Sequence, residues 1–183
     1  MKPYNYKFRK GMRKISWEEF HSMCKKLASK VSRDDFDIFI GIARAGLYPA
    51  TLVAGMLRKE FYPVRITRRK NDKIKWKNPV WKTDVPDEIK SARVLVIDDV
   101  SDSGESLFVV SKRLKEKGAK KVKTAVLIFH SWAKPRPDYY ALKSDQCVIF
   151  PWDTQILVRG KWKLHPEIAR AMKLHKRNRG RSN

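Results

Sequence analysis

Two hydrophobic periods alternate along this chain. Ser16, Trp17, Glu18 and Glu19 form a capping-box pattern, and Phe20, Met23, Leu27 and Val31 follow at helical spacing. They predict a first helix packed on one face. Residues 37–42 then form an apolar run (Ile38, Phe39, Ile40, Ile42) of the length of a buried strand. An Ala- and Leu-rich helix is predicted over 47–57 and a strand over 61–66. Further strands are predicted at 93–97, 122–129 and 147–150, with a helix over 106–117 between the first two. Strands alternating with helices predict an α/β fold with a central parallel sheet flanked by helices. No period holds between 67 and 86. That basic and aromatic stretch, with Trp76, Trp81 and Pro79, is predicted as one long functional loop. Past 155 a helix is predicted near 166–176, with 176–183 expected to be disordered.

Composition narrows the class. The chain has 183 residues, 42% of them hydrophobic, enough for one ordinary domain with a real core. Its two cysteines, Cys24 and Cys147, have neither metal spacing nor a CxxC arrangement. That favours a reducing, cytoplasmic setting without a disulfide framework. No apolar run has the length of a membrane span, and the first residues lack the apolar core of a signal peptide. The net charge is +23, concentrated in three places. One is an N-terminal arm over 1–15 (Lys2, Lys7, Arg9, Lys10, Arg13, Lys14), another the stretch 65–82, and the third the tail from Arg159 to Arg181. Such charge attracts anionic ligands, and weak attraction to nucleic acid is expected. It also serves solubility.

The chemistry concentrates just after the strand at 93–97. Asp98, Asp99 and Asp102 place three carboxylates within five residues. Ser103, Gly104, Glu105 and Ser106 then lead into the helical pattern. A helix N-terminus offers unpaired N–H groups and a partial positive charge to a phosphate. Acids at the strand end can take ribose hydroxyls or a magnesium-bound diphosphate. The run from Val94 to Leu107 resembles the motif with which type I phosphoribosyltransferases bind 5-phosphoribosyl 1-diphosphate (PRPP). That resemblance covers about residues 36–153. It implies the family's fold, with a small hood, for a domain over 1–155, and leaves 156–183 as a basic, partly helical extension.

Residues 41–49, with Arg44, again put a tight loop between a buried strand and a helix, and a charged partner for an anion. They resemble the pyrophosphate loop of 6-oxopurine phosphoribosyltransferases, with Ala45 in place of a glycine. A third segment runs from Phe129 to Tyr140 and ends at Phe150, Pro151, Trp152 and Asp153. It is similar to the base-binding end of the archaeal and bacterial members. There the resemblance aligns His130 with a lysine that meets purine O6, Cys147 with a ring-holding aromatic, and Val148 with a backbone contact. Lys134 is an alternative lysine. A lysine can only donate, whereas a neutral histidine can accept or donate. Guanine, hypoxanthine and xanthine therefore remain open, and adenine becomes a serious candidate.

The resemblance implies a salvage enzyme that transfers phosphoribosyl from PRPP to a purine base, releasing pyrophosphate and a nucleoside monophosphate. It implies Asp102 as general acid/base, and Ser101, Ser103, Gly104, Glu105 and Ser106 around PRPP with Arg44 and Ala45. It implies Mg²⁺ near Asp98, Asp99 and Asp153, a mobile lid over 68–77, and a homodimer. The rival reading is a PRPP-sensing regulatory protein of the same fold that binds RNA or DNA. The basic arm and tail favour that rival; Asp102 and Arg44 argue against a purely regulatory role.

Overall fold

The predicted alternation of strands and helices is present in the computed structural model, which describes residues 9–70 and 73–179. In chain order the elements are β1 (Met12–Lys14), α1 (Trp17–Val31), β2 (Ile38–Ile42), α2 (Leu47–Leu57), β3 (Glu60–Thr67), β4 (Arg69–Lys70), β5 (Lys73–Ile74) and β6 (Val80–Thr83). There follow β7 (Arg93–Ser101), α3 (Glu105–Glu116), β8 (Lys121–Phe129), β9 (Tyr139–Lys143), β10 (Cys147–Ile149), β11 (Gln155–Val158), β12 (Lys161–Leu164) and α4 (Pro166–Arg179). The described chain divides into two compact units, one over Met23–Ser144 and the other over residues 9–22 with 145–179.

The first unit is built on a six-stranded sheet of order β6-β3-β2-β7-β8-β9. All neighbours are parallel except β3 and β6. β2 is buried along its whole length, as its unbroken apolar run requires. Its residues alternate between the two faces. Ile38, Ile40 and Ile42 join Leu107, Val110 and Leu114 of α3 in one core. On the opposite face Gly41 lies under α2, where an added Cβ would stand 2.8 Å from that of Ala50. From β2 the chain crosses to β3 on one side; from β7 it crosses to β8 on the other. Right-handed crossovers in opposite directions place α2 and α3 on opposite faces. The strand order therefore reverses between β2 and β7, where open α/β sheets form ligand crevices.

Three departures from the sequence expectation have physical causes. The stretch 67–86 is not one irregular loop: β4 and β5 pair as a small hairpin, and β6 adds an antiparallel edge to β3. Edge pairing needs only one face and leaves no long apolar run to detect. β9, a partly buried edge strand, stands within a segment whose polar and proline residues read as a loop. The expected disorder from 176 is replaced as far as Arg179 by α4. Lys176 and Arg177 are good helix formers, and the next strong breaker is Gly180.

In the second unit β1 pairs parallel to β10, and β11 and β12 form an antiparallel hairpin that was not foreseen. Ser16 caps α1, its Oγ accepting the Glu19 N–H at 3.1 Å as the capping box predicts. Trp17, Phe20, Phe150 and Trp152 form an aromatic cluster, with Phe150 and Trp152 stacked at 4.4 Å. Of the basic arm and tail, residues 1–8 and 180–183 lie outside the described residues.

Candidate functional site

Two loops meet at the reversal point. After β7 the chain passes Asp98 and Asp99, ends its strand at Ser101, and turns through Asp102, Ser103 and Gly104 into α3. Asp98 Oδ1 accepts the Asp99 N–H at 3.0 Å. Burial, and then the neighbouring charge of Asp99, push the Asp98 carboxyl well above the usual carboxylate range. Gly104 is glycine for two reasons. Its φ is +85°, and an added Cβ would lie 2.6 Å from the carbonyl of Lys134. The Lys134 N–H in turn donates to the Ser103 carbonyl at 3.0 Å. At the start of α3 the Ser103 hydroxyl accepts the Glu105 N–H at 3.3 Å, so one first-turn amide is already engaged. Ser103 is exposed, and Asp102, Glu105 and Ser106 are half-buried. Ser101 is different: it is buried, and its hydroxyl has no hydrogen-bond partner among the described residues.

The loop after β2 carries an exposed Arg44, and the Ala43–Arg44 peptide is cis. Ala45 keeps a negative φ, so its methyl group is accommodated without strain where a glycine was the expected pattern. At Gly46 the two loops touch. A Cβ there would stand 2.6 Å from Asp98 Oδ1 and 2.9 Å from Asp98 Cα. Only a residue without a side chain lets the Arg44 loop lie against the strand-end acids.

A third loop, after β8, supplies a group the sequence reading missed. Trp132 Nε1 donates to Asp102 Oδ1 at 3.3 Å. The same indole stacks on His130, with centroids 4.6 Å apart and planes 11° from parallel. An aromatic three residues past the end of β8 was the available signal, since loops at that end of the sheet face the crevice. His130 itself is fully buried, and its Nδ1 meets the Ser144 carbonyl. A carbonyl only accepts, so Nδ1 carries the proton and the neutral ring has its acceptor at Nε2. The ring lies beneath Trp132, which is half-buried.

Comparison with known proteins agrees with this geometry. A family profile, the phosphoribosyl transferase domain, matches residues 16–159. The chain belongs to the phosphoribosyltransferase family. Its fold is that of the type I members, and it is a pentosyltransferase. The solved structure of a purine phosphoribosyltransferase from Pyrococcus horikoshii is 29% identical, covers 82% of this chain and 99% of its own, and superposes with a TM-score of 0.72. A xanthine-guanine-hypoxanthine phosphoribosyltransferase from Helicobacter pylori is 23% identical over 77% of this chain and 91% of its own, with a TM-score of 0.64. A hypothetical protein from Neisseria gonorrhoeae, solved with bound ppGpp, is 22% identical over 91% and 97%, with a TM-score of 0.66. At such identity the last two show the fold alone. No curated protein matches.

In this phosphoribosyltransferase the remaining expected site residues belong to the second unit. Cys147 is buried in β10, where its N–H donates to the Gly11 carbonyl at 2.8 Å. Val148 is half-buried and pairs in register with Arg13. Asp153 ends a single 3₁₀ turn, with its carboxylate 3.6 Å from His165 Nε2. Among the described residues no group of three or more His, Cys, Asp or Glu could hold a metal alone. The donor set nonetheless fits magnesium, which commonly takes one or two carboxylates and completes its shell with substrate phosphates and water. Adjacent Asp98 and Asp99 supply carboxylates of that kind from one strand end. No helix among the described residues is long and apolar enough to cross a membrane.

Proposed function

We propose that this chain transfers phosphoribosyl from PRPP to a purine base, giving a nucleoside monophosphate and pyrophosphate. The observation that carries this is the contact at Gly46, which sets the Arg44 loop against Asp98 at the mouth of the crevice. Displacing pyrophosphate from a ribose needs a phosphate anchor, a charge clamp on the leaving group and a place for the purine proton. The loop Ser103, Gly104, Glu105, Ser106 at the start of α3 takes the 5′-phosphate. Glu105 turns its carboxylate away from that anion, to within 3.9 Å of the Arg68 guanidinium. Arg44 and the Ala45 backbone hold the diphosphate. Asp98 and Asp99 hold the ribose hydroxyls and would hold Mg²⁺, which supplies charge neutralisation to the leaving group when bound. Asp153 is assigned as a further contact of the same kind. Asp102 handles the purine proton, with the indole N–H of Trp132 orienting its carboxylate.

The purine reading rests on the likeness to the Pyrococcus protein and on the 130–134 and 147–153 segments, with Val148 as a backbone contact to the ring. The acceptor at His130 Nε2 suits a 6-amino group better than a 6-oxo group, and Cys147 is assigned to the same base-binding set. We read 1–155 as the catalytic domain, 156–183 as an extension, 68–77 as its lid and the active form as a homodimer. The deciding assay is turnover of PRPP with adenine, guanine, hypoxanthine and xanthine, each alone and with magnesium. The expected result is nucleotide and pyrophosphate in equal amounts from at least one base; none from any of the four would refute the reading.

A further inference from the structure

The β11–β12 hairpin and α4 lie past the residues assigned to the chemistry, yet they bring one side chain back to them. Arg159 and Gly160 form the hairpin turn, with φ values of 49° and 73°, the double left-handed geometry of a tight two-residue connection. Such a turn fixes the register, which pairs Val158 with Lys161 and Gln155 with Leu164. The residue after β12 is therefore delivered beside the residue before β11. That residue is His165, and its N–H donates to the Thr154 carbonyl at 3.1 Å. Asp153 is one position further back, and its carboxylate stands 3.6 Å from His165 Nε2.

His165 is also the N-cap of α4. Pro166 takes the first helical position, and the Glu167 N–H donates to His165 Nδ1 at 3.3 Å. The His165 carbonyl accepts the Ala169 N–H at 3.0 Å. The residue is thus held at three points, on a helix that buries Ile168 and Ala171. Histidine is not among the residues that favour a cap; Ser, Asp or Asn would serve with less bulk. What the imidazole adds is a second nitrogen. Nδ1 accepts a hydrogen bond, so in the neutral ring the proton is on Nε2, the nitrogen nearest the Asp153 carboxylate. The side chain of His165 is 22% exposed and that of Asp153 57%. One partner is fixed, and the other is open to a ligand. Their separation exceeds an ordinary N–H···O distance by about 0.5 Å, as pairs in catalytic sites often do before a substrate complex tightens them.

We propose that His165 is a positioning residue for Asp153, its Nε2–H orienting the carboxylate toward the diphosphate and magnesium of PRPP. This role rests on the phosphoribosyl-transfer reading, which assigns Asp153 to those groups. A carboxylate that takes an N–H on one oxygen keeps the other directed at its ligand. The C-terminal extension is then part of the site machinery.

The test is calorimetric titration of the full chain with magnesium pyrophosphate, which needs no turnover, beside thermal melts. Asn matches the reach of the ring to Nδ1, and Gln its reach to Nε2. His165→Asn keeps the cap but not the contact with Asp153. It is expected to hold the melting temperature and lose about tenfold in affinity. His165→Gln keeps a donor for Asp153 with a poorer cap, so the melting temperature falls while most of the affinity stays. Asp153→Asn is expected to weaken binding at least as much as His165→Asn. Combining the two adds no further loss, because one residue acts through the other. A wild-type protein that binds no magnesium pyrophosphate overturns the phosphoribosyl-transfer reading, and the positioning role with it. Wild-type binding that His165→Asn leaves unchanged overturns the positioning role alone, and so do losses that multiply in the double variant.

Discussion

Gly46→Ala is the most direct challenge to the idea that the two loops must touch. The new methyl carbon would stand 2.6 Å from both Asp98 Oδ1 and the Ile42 carbonyl, and 2.9 Å from Asp98 Cα. Ordinary contact begins near 3.4 Å, so the loop must retreat by about 0.8 Å. Two of those three atoms are backbone and cannot swing aside. Overpacking of this kind costs about 1–3 kcal/mol, which for a chain of this length lowers the melting temperature by about 2–12 °C. The functional effect is larger, because a displacement of about 1 Å at a positioning loop can cost about a hundredfold in rate. Gly55→Ala, in the helix that follows, is the control: an added Cβ there meets nothing within 4 Å, and stability holds or rises slightly. Thermal melts and initial rates of nucleotide formation from PRPP measure both effects. A Gly46→Ala protein with wild-type rate and melting temperature would show that the close approach is dispensable, and with it the reason given for the glycine.

The other predictions concern single contacts. Asp102→Ala is expected to cut turnover about 10²- to 10⁴-fold while PRPP still binds in a calorimetric titration; full turnover would remove Asp102 from proton transfer. Trp132→Phe keeps the stack on His130 but deletes the N–H donated to Asp102. It should lower kcat about tenfold with KM for PRPP nearly unchanged, and an unchanged kcat counts against the orienting role. Asp84, hydrogen-bonded to the Arg113 guanidinium, is pulled below its ordinary 3.8 to about 2. A lowered folded-state value stabilises above the unfolded value, and that stability is lost as pH falls from about 4 through about 2. Asp84→Asn should therefore lower the urea midpoint at neutral pH and flatten its fall across that window. The gain is modest, since the carboxylate is 36% exposed; identical curves for the two proteins would leave this pair without a role in stability.

What was legible in the sequence was local. β2, β7 and β8 announce themselves as apolar runs because both faces of a central parallel strand are covered. α1 announces itself by Ser16 and Glu19. The carboxylates of 98–102 were visible because a strand end and a helix start are fixed within one continuous segment. What stayed hidden depends on residues far apart in the chain. Gly46 reads as an ordinary turn glycine until Asp98 is seen 2.6 Å from its missing side chain. Trp132 reads as loop aromatic until its N–H is found on Asp102, thirty positions earlier. The burial of His130 was hidden too, because it is set by what packs over the ring, and Trp132 stacks on it. The edge strands β6, β9, β11 and β12 were lost for a related reason. A strand with one covered face, or none, carries no apolar run, and only its partner's register reveals it. In this fold the central strands set where the crevice must be, and contacts between loops distant in sequence decide which side chains enter it.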